Sequence, residues 1–206
     1  MDLKTLKEKC KEFEEREGRA SFYDIALKIV EEYLLQASII ILATWNISRF
    51  RFIVSNSKNL IDLENLIDLE NSIDLENSIE KCKPLFNKIK NANIQKTNLD
   101  EIKDTIIQIY NTLSKVKGVE YTGASKVMHL LNRNLVVMWD SYIRKEFNYK
   151  DANAETYFDF LKKMQEKFKN IEWEEQNKTL AKAIDEYNYV VISLPELEKQ
   201  RNKKTN

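Results

Sequence analysis

The chain has 206 residues, of which 43% are hydrophobic and 32% charged, and its formal net charge at pH 7 is zero. This length and composition fit a globular protein of one domain or two small lobes and exclude a disordered chain. Three glycines and two prolines supply too little turn chemistry for an all-β fold. Two cysteines are too few for a disulfide framework, an iron–sulfur cluster or a structural zinc site.

The N-terminal segment, MDLKTLKEKCKEFEERE, is charged and helical in pattern, unlike a signal peptide. The longest apolar run, Ala37–Trp45, is interrupted by Ser38 and Thr44 and is far too short to span a bilayer. The sequence therefore predicts an intracellular, cytoplasmic protein with no membrane partner.

Helical spacing of apolar residues begins at the N-terminus. The stripe of a first helix consists of Leu3, Leu6, Cys10 and Phe13. This helix is predicted to stop near Gly18, and Ser21 is predicted to cap a second, which would be the central helix of the core. The apolar residues of the second helix are Phe22, Ile25, Ile29, Tyr33 and the run SIIIL at 38–42.

A hexapeptide repeat follows: LIDLEN, LIDLEN and SIDLEN, and then SIEKCK, at residues 60–83. Six residues turn an α-helix through about 600°, so equivalent positions do not stack on one face. The repeat therefore predicts neither a coiled coil nor a fixed core stripe. We interpret residues 58–83 as an acidic helical insert, a surface arm ended by Lys83-Pro84, with self-association or partner binding as the alternative role.

Charge is unevenly distributed along the chain. Residues 60–80 contain seven acidic side chains and no basic one, so the rest of the chain carries a net charge of +7. A basic body is compatible with nucleic-acid binding, whereas the alternative is an ordinary charged helix surface.

The second half of the chain also has a helical period. A helix opened by Asn98 or Asp100 is predicted to bury Ile102, Ile106, Ile109, Tyr110 and Leu113. A short amphipathic helix after it is predicted to bury Ala124, Val127, Met128 and Leu131. The remaining predicted elements are an extended connector before Asp140, a helix capped by Asp140-Ser141, helices at 156–169 and 171–187, and a disordered basic tail at 202–206. We expect an all-α protein.

The most informative feature lies between these two helices. Gly118-Val119 marks a tight hairpin, and such a turn can point backbone N–H groups outward, where they bind phosphate. Asp140 follows Gly118 by 22 residues and begins the next helix. An anion clamp and a carboxylate at fixed spacing suit chemistry on a sugar–phosphate backbone. For Asp140 alone, the competing interpretation is a plain helix N-cap.

Residues 109–145 resemble the helix-hairpin-helix DNA glycosylases related to endonuclease III. The family pattern is L-P-G-V-G-x-[K/x]-T-A, followed by an aspartate in V-D-T-H-x-x-R. Here Val116–Glu120 stands for the hairpin, Ala124 for the small residue that packs the second helix, and Trp139–Arg144 for the aspartate segment. The spacing from hairpin glycine to aspartate also matches. The resemblance implies a two-lobed helical unit over residues 1–206, with the motif at 109–132.

In this resemblance Asp140 is the catalytic carboxylate, which stabilises oxocarbenium charge at C1′ or activates water. The target base has to leave the stack to be reached. The lysine of family members that also nick the strand is replaced by Thr122, which implies excision without lyase chemistry; Lys126, one turn further on, is the alternative amine. Glu120 replaces the second hairpin glycine and Tyr142 the family histidine, and both departures favour a divergent or non-catalytic relative.

The resemblance also implies binding residues. The expected DNA contacts are Lys117, Gly118, Val119, Thr122, Gly123, Ser125 and Lys126. The expected base pocket consists of Trp45, Asn46, Trp139 and Tyr142, although an aromatic such as Trp45 also fits simple core packing. No cofactor is expected except a monovalent cation held by hairpin carbonyls. With His129 as the only histidine, no side-chain metal site is predicted.

These observations predict a monofunctional base-excision glycosylase that acts on double-stranded DNA in repair, associated with the nucleoid. The first alternative is a non-catalytic DNA-binding protein with the same motif. The second is a helical interaction protein whose basic patches are incidental. The sequence does not indicate which base is removed or the oligomeric state.

Overall fold

The computed structural model of the chain describes residues 1–46 and 69–205. It is 71% helix and has no β-strand in these ranges, which confirms the prediction of an all-α protein. The first hexapeptide copy and the first half of the second lie outside the described residues. The α-helices are α1 Leu3–Arg16, α2 Ala20–Ile29, α3 Leu34–Trp45, α4 Leu69–Ile89, α5 Lys103–Ser114, α6 Glu120–Leu131, α7 Ser141–Glu146, α8 Ala154–Phe168, α9 Leu180–Asn188 and α10 Leu194–Thr205.

Helix α1 follows the predicted stripe. Asp2 caps it by accepting a hydrogen bond of 2.8 Å from the Thr5 amide, and its buried face carries Leu6, Cys10 and Phe13. This face packs against α9 near the other end of the chain. The N-terminal helix is therefore part of the core.

The predicted single core helix at 21–45 is wrong, because the chain breaks between α2 and α3. The α2 helix starts at Ala20, so Ser21 is not its cap. Phe22, Ile25 and Tyr33, which were expected to be buried, are 47%, 45% and 52% exposed. The turn lets α2 pack beside α3, and α2 then buries its opposite face, with Tyr23 and Ala26.

Helix α4 departs from the prediction in two ways. Pro84 lies inside the helix, which continues to Ile89 instead of ending at Lys83-Pro84. A core stripe also forms, because the sequence leaves the hexapeptide pattern after Ile79 and its buried residues then continue at intervals of three and four, which keeps them on one face. The buried residues of this stripe are Leu75, Ile79, Cys82, Phe86 and Ile89.

Helices α5 and α6 pack against each other and are joined by residues 115–119. A short 3₁₀ helix, Leu99–Ile102, leads into α5 and is capped by Asn98, as predicted. Helix α5 contributes Tyr110 to an aromatic cluster in which its ring stacks on Tyr157 at 4.6 Å between centroids. This cluster fixes the connector that leads to Asp140.

The C-terminal part differs from the prediction of one helix at 171–187. Only Leu180–Asn188 forms α9, and it runs through a π-helical turn, Tyr189–Ser193, into α10. Helix α10 extends to Thr205 and so includes most of the predicted disordered tail at 202–206. Among the residues that the structure describes, no helix is both long and apolar enough to cross a bilayer.

Candidate active site

Asp140 is held by both of its carboxylate oxygens. Oδ1 accepts hydrogen bonds of 2.8 Å from the amides of Tyr142 and Ile143, so Asp140 is the N-cap of α7, as predicted. Oδ2 accepts a hydrogen bond of 2.7 Å from the hydroxyl of Ser193 in the π-helical turn. Two elements distant in sequence therefore set the orientation of this carboxylate.

A cavity of 490 Å³ lies beside Asp140. Its walls are formed by α1 and the segment after it, the end of α3, the start of α6, the connector with α7, and the C-terminal helices. The cavity is lined by these residues of the predicted site: Trp45, Asn46, Val119, Thr122, Lys126, Trp139, Asp140 and Tyr142. The structure thus brings together the carboxylate and every residue of the predicted base pocket.

No family model, no curated protein and no solved structure matches this chain.

The hairpin before α6 is tied to the end of α3. The Nδ2 atom of Asn46 donates to the carbonyl oxygens of Gly118 and Val119, at 3.0 and 3.1 Å. The amides of Val119 and Glu120 both donate to the carbonyl of Val116 at 3.1 Å. These two amides, expected to point at phosphate, are engaged within the turn, and the carbonyls expected to face a cation accept from Asn46.

The backbone of the hairpin has an unusual conformation at two positions. Gly118 has a φ of 90°, which a glycine adopts without strain. Glu120 has a φ of 50°, in the left-handed region that costs a non-glycine residue about 1–2 kcal/mol. The residue that replaces the second family glycine therefore stands where the backbone favours glycine.

Most of the expected DNA contacts are buried. Lys117 is exposed and Thr122 is half-buried, whereas the others have their side chains or backbone inside the fold. These buried residues are Gly118, Val119, Gly123, Ser125 and Lys126. Gly123 is in close contact with α3, since an added Cβ would lie 2.8 Å from Leu42 and 3.0 Å from Asn46. The first turn of α6 packs against α3, and its exposed residues are those that face the cavity.

The aromatic residues of the predicted pocket differ in how far they are buried and held by other groups. Trp139 is 1% exposed, and its indole N–H donates to the carbonyl of Tyr121 at 3.3 Å, so this ring is a fixed part of the wall. Trp45 and Tyr142 are half-buried. The guanidinium of Arg19 lies 6.0 Å from the centroid of the Trp45 ring, and it also pairs with Glu17. Of the predicted pocket residues, Trp45 and Tyr142 are therefore the aromatic side chains available to a ligand.

Two lysines line the cavity, and they differ in their partners. Lys182 is 5% exposed, and its Nζ lies 2.9 Å from Asp185 and 3.6 Å from Glu186. Burial lowers the pKa of Lys182, but the charges of Asp185 and Glu186 outweigh it and raise that pKa overall. This lysine is a charged, paired group.

Lys126 is 8% exposed and has no ion pair or hydrogen-bonded acceptor among the described residues. Burial lowers the pKa of its amine, and the carboxylates of Asp185 and Asp140 offset this only in part. The cavity therefore contains a buried amine whose pKa is lowered and which has no ion-pair partner among the described residues.

His129 lies in the core and not at the cavity. Its Nδ1 is 2.6 Å from the carbonyl of Val136, and its Nε2 is 2.7 Å from the Tyr23 hydroxyl. Since a carbonyl only accepts, Nδ1 carries the proton and Nε2 accepts from Tyr23. Burial lowers the pKa of His129 to about 4. Within the described residues, no group of three or more His, Cys, Asp or Glu side chains could hold a metal ion.

Sequence reasoning missed several residues of the cavity. Ser193 and the Lys182–Asp185 pair come from C-terminal elements whose position relative to Asp140 no local pattern reveals. Arg144 also lines the cavity; its guanidinium lies 5.8 Å from the centroid of the Trp139 ring, and its buried Nε has no hydrogen-bond partner among the described residues. The sequence signal for Arg144 was its place at the end of the segment Trp139–Arg144, four residues after Asp140 and on the helix that Asp140 caps.

Proposed function

We propose that this protein is a base-excision DNA glycosylase, in which Asp140 acts on the N-glycosidic bond of a nucleotide held in the cavity. One observation carries the proposal: Trp45 and Asn46 from the end of α3 meet Asp140 in one cavity. Its volume of 490 Å³ lies within the range of pockets that enclose small ligands.

The chemistry follows from how Asp140 is held. As the glycosidic bond breaks, positive charge develops at the sugar C1′, and a fixed carboxylate stabilises that charge without reorganising. The helix amides bind Oδ1, and the serine hydroxyl binds one lone pair of Oδ2. The other lone pair of Oδ2 is the one that faces the sugar or the attacking water.

The proposal includes a helix-hairpin-helix arrangement in a two-lobed fold, with double-stranded DNA as the partner. Because most of the hairpin is buried, the contacts with DNA come from exposed side chains around it. Lys115, Lys117 and Tyr121 are exposed in this region; Tyr121 is 46% exposed and also lines the cavity. Lys117 would bind phosphate, and Tyr121 would stack on the strand from which the base is extruded.

A second candidate function is DNA binding without catalysis. The specific observation in its favour is that the contacts of Asp140 are those of a structural residue: Oδ1 caps α7 by binding two helix amides, and Oδ2 accepts from Ser193. Such a protein would bind duplex DNA through Lys117 and the basic body of the chain and would release no base.

The test measures base release from duplex oligonucleotides that carry different lesions, for the natural chain and for Asp140→Asn. Asparagine keeps the N-cap acceptor but not the charge, so the fold is preserved. We expect the variant to lose release at least about 100-fold and to keep DNA affinity. Asp2→Asn is the matched control, because Asp2 also caps a helix, away from the cavity; it should leave release unchanged.

The other outcomes distinguish the candidates. Salt-dependent duplex binding without release from any lesion would exclude the enzyme and favour the DNA-binding protein. Absence of salt-dependent binding would exclude both. Equal release by the natural chain and by Asp140→Asn would show that Asp140 is only a helix cap.

A further inference from the structure

Two basic side chains of the cavity lack a negatively charged partner among the described residues. Lys126 is 8% exposed, and no carboxylate or other acceptor of these residues pairs with its amine. Arg144 has no ion pair there either, and its buried Nε atom has no hydrogen-bond partner. Because an uncompensated cation is costly inside a protein, an anion in the cavity would stabilise both groups.

Two other basic groups of the wall are already paired. The guanidinium of Arg19 pairs with Glu17, and the amine of Lys182 lies 2.9 Å from Asp185. The lining residues that the structure describes include five basic side chains and three acidic ones, so this wall has a net positive charge. The charge available to a ligand is therefore that of Lys126 and Arg144.

The connector before α7 brings both cations to the same part of the wall. The amide of Trp139 donates to the Ser125 hydroxyl at 3.3 Å, and Lys126 is the next residue of α6. The guanidinium of Arg144 lies 5.8 Å from the centroid of the Trp139 ring. One anionic group beside this connector can therefore contact both cations.

We propose that the cavity binds a free nucleoside 5′-monophosphate, with the phosphate held by Lys126 and Arg144. A terminal phosphate carries a charge of about −1.5 to −2 at pH 7, which matches two cations. Trp45 and Tyr142 are half-buried at the same cavity and provide aromatic surface for the base. The volume of 490 Å³ lies in the range of pockets that enclose small ligands.

A terminal phosphate fits the burial of Lys126 better than a phosphate of the DNA backbone does. A backbone phosphate is a diester with a single charge, and the strand continues from it in both directions. To reach an amine that is 8% exposed, it would have to bring both flanking nucleotides into the cavity. A monoester has one attachment, so its phosphate enters first and the nucleoside follows. This ligand goes beyond the proposed function, on which it would compete with an extruded base.

The experiment titrates the natural chain by calorimetry at pH 7 with ribo- and 2′-deoxyribonucleoside 5′-monophosphates and with the matching nucleosides. We expect the tightest-binding nucleotide to bind at least about tenfold more tightly than its nucleoside, because its phosphate accepts charge-assisted hydrogen bonds.

Lys126→Met and Arg144→Met should each lower nucleotide affinity about tenfold and leave nucleoside affinity unchanged. Lys145→Met is the matched control, because Lys145 is an exposed cation of α7 that does not line the cavity. It should change neither affinity.

Urea unfolding separates a binding role from a structural one. Without ligand, Lys126→Met removes a costly buried charge, so we expect it to unfold at a higher urea concentration than the natural chain does. Saturating nucleotide should raise the unfolding midpoint of the natural chain but not that of the variant. Loss of this shift in a folded variant would assign Lys126 to binding.

The proposal is overturned if no nucleotide binds more tightly than its nucleoside, or if Lys145→Met weakens binding as much as Lys126→Met does. It is also overturned if Lys126→Met weakens duplex binding while no free nucleotide binds, which would assign the lysine to the DNA backbone. Nucleotide binding without base release from any lesion would retain this site and exclude the glycosylase. Base release without nucleotide binding would retain the glycosylase and exclude this site.

Discussion

Ser193 and Asp140 are 53 residues apart in the chain and 2.7 Å apart in the structure, measured from hydroxyl to carboxylate oxygen. The serine is fully buried and belongs to the π-helical turn between α9 and α10. The carboxylate that faces the cavity is thereby connected to the C-terminal helices.

Replacing Ser193 tests this connection. Ser193→Ala leaves Oδ2 without its donor, so we expect the unfolding free energy to fall by about 2 kcal/mol. On the proposed function, single-turnover base release should fall about tenfold while duplex affinity stays constant, because the change misplaces only the carboxylate. Ser38→Ala is the control: Ser38 is equally buried, but its hydroxyl donates to the Leu34 carbonyl. Equal release by both variants would contradict the positioning role.

The φ of 50° at Glu120 leads to a prediction about two substitutions. Glu120→Gly and Glu120→Gln both remove the charge, but only glycine removes the left-handed strain. We expect the glycine variant to be more stable than the glutamine variant by about 1 kcal/mol, measured by urea unfolding. Both variants should bind duplex DNA more tightly than the natural chain at low salt. If glutamine proves as stable as glycine, the strain at this position is negligible.

Two glycines with different surroundings allow a matched comparison. An added Cβ at Gly123 meets the side chains of Leu42, Asn46 and Val119 at 2.8 to 3.0 Å, whereas one at Gly18 meets nothing within 4 Å. Gly123→Ala should therefore lower the unfolding free energy by about 1 kcal/mol, with overpacking outweighing the gain in helix propensity. Gly18→Ala should be neutral or slightly stabilising. A stabilising effect of Gly123→Ala would show that α3 and α6 separate easily.

Acid sensitivity follows from the burial of His129. Its pKa is lowered from 6.5 to about 4, so the unfolded chain takes up a proton at a higher pH than the folded chain. The stabilisation is complete above pH 6.5 and is lost as the pH falls towards 4, by about 3 kcal/mol in all.

The measurement is urea unfolding at intervals between pH 7 and pH 4. His129→Gln should flatten the slope of unfolding free energy against pH in that range, whatever its effect on stability at pH 7. An unchanged slope in the variant would assign the acid sensitivity to other groups.

Features that depend on residues within one or two helical turns could be predicted from the sequence. The stripe with Leu6, Cys10 and Phe13 and the caps at Asn98 and Asp140 rest on local spacing and hydrogen bonding, and the structure confirms them. The break between α2 and α3 was not predictable in this way. It exchanges the exposed and buried faces of α2, and α3 after the break packs both against α2 and against the distant helix α6.

The same distinction applies to the candidate site. Asp140, Lys126 and Trp139 lie in one short stretch, and their shared cavity follows from that stretch and from the α6–α7 connector. Lys182 pairs with Asp185 and Glu186, three and four residues further along the same helix, so this pairing follows from local spacing. The serine partner of Asp140 and the position of α9 at the cavity are set by packing between elements far apart in the chain, which no local pattern reveals.

The π-helical turn at Tyr189–Ser193 has a consequence for how this chain tolerates changes in length. Each residue advances a helix by about 100°, so the loss of one residue from the turn rotates everything after it by that angle relative to α9. Lys182 and Asp185 line the cavity before the turn, and Leu197 and Arg201 line it after the turn. Deletion of one residue from the turn would leave the helices intact but would rotate Leu197 and Arg201 away from the cavity. We therefore expect the number of residues in this turn to matter to the cavity as much as the side chains that line it.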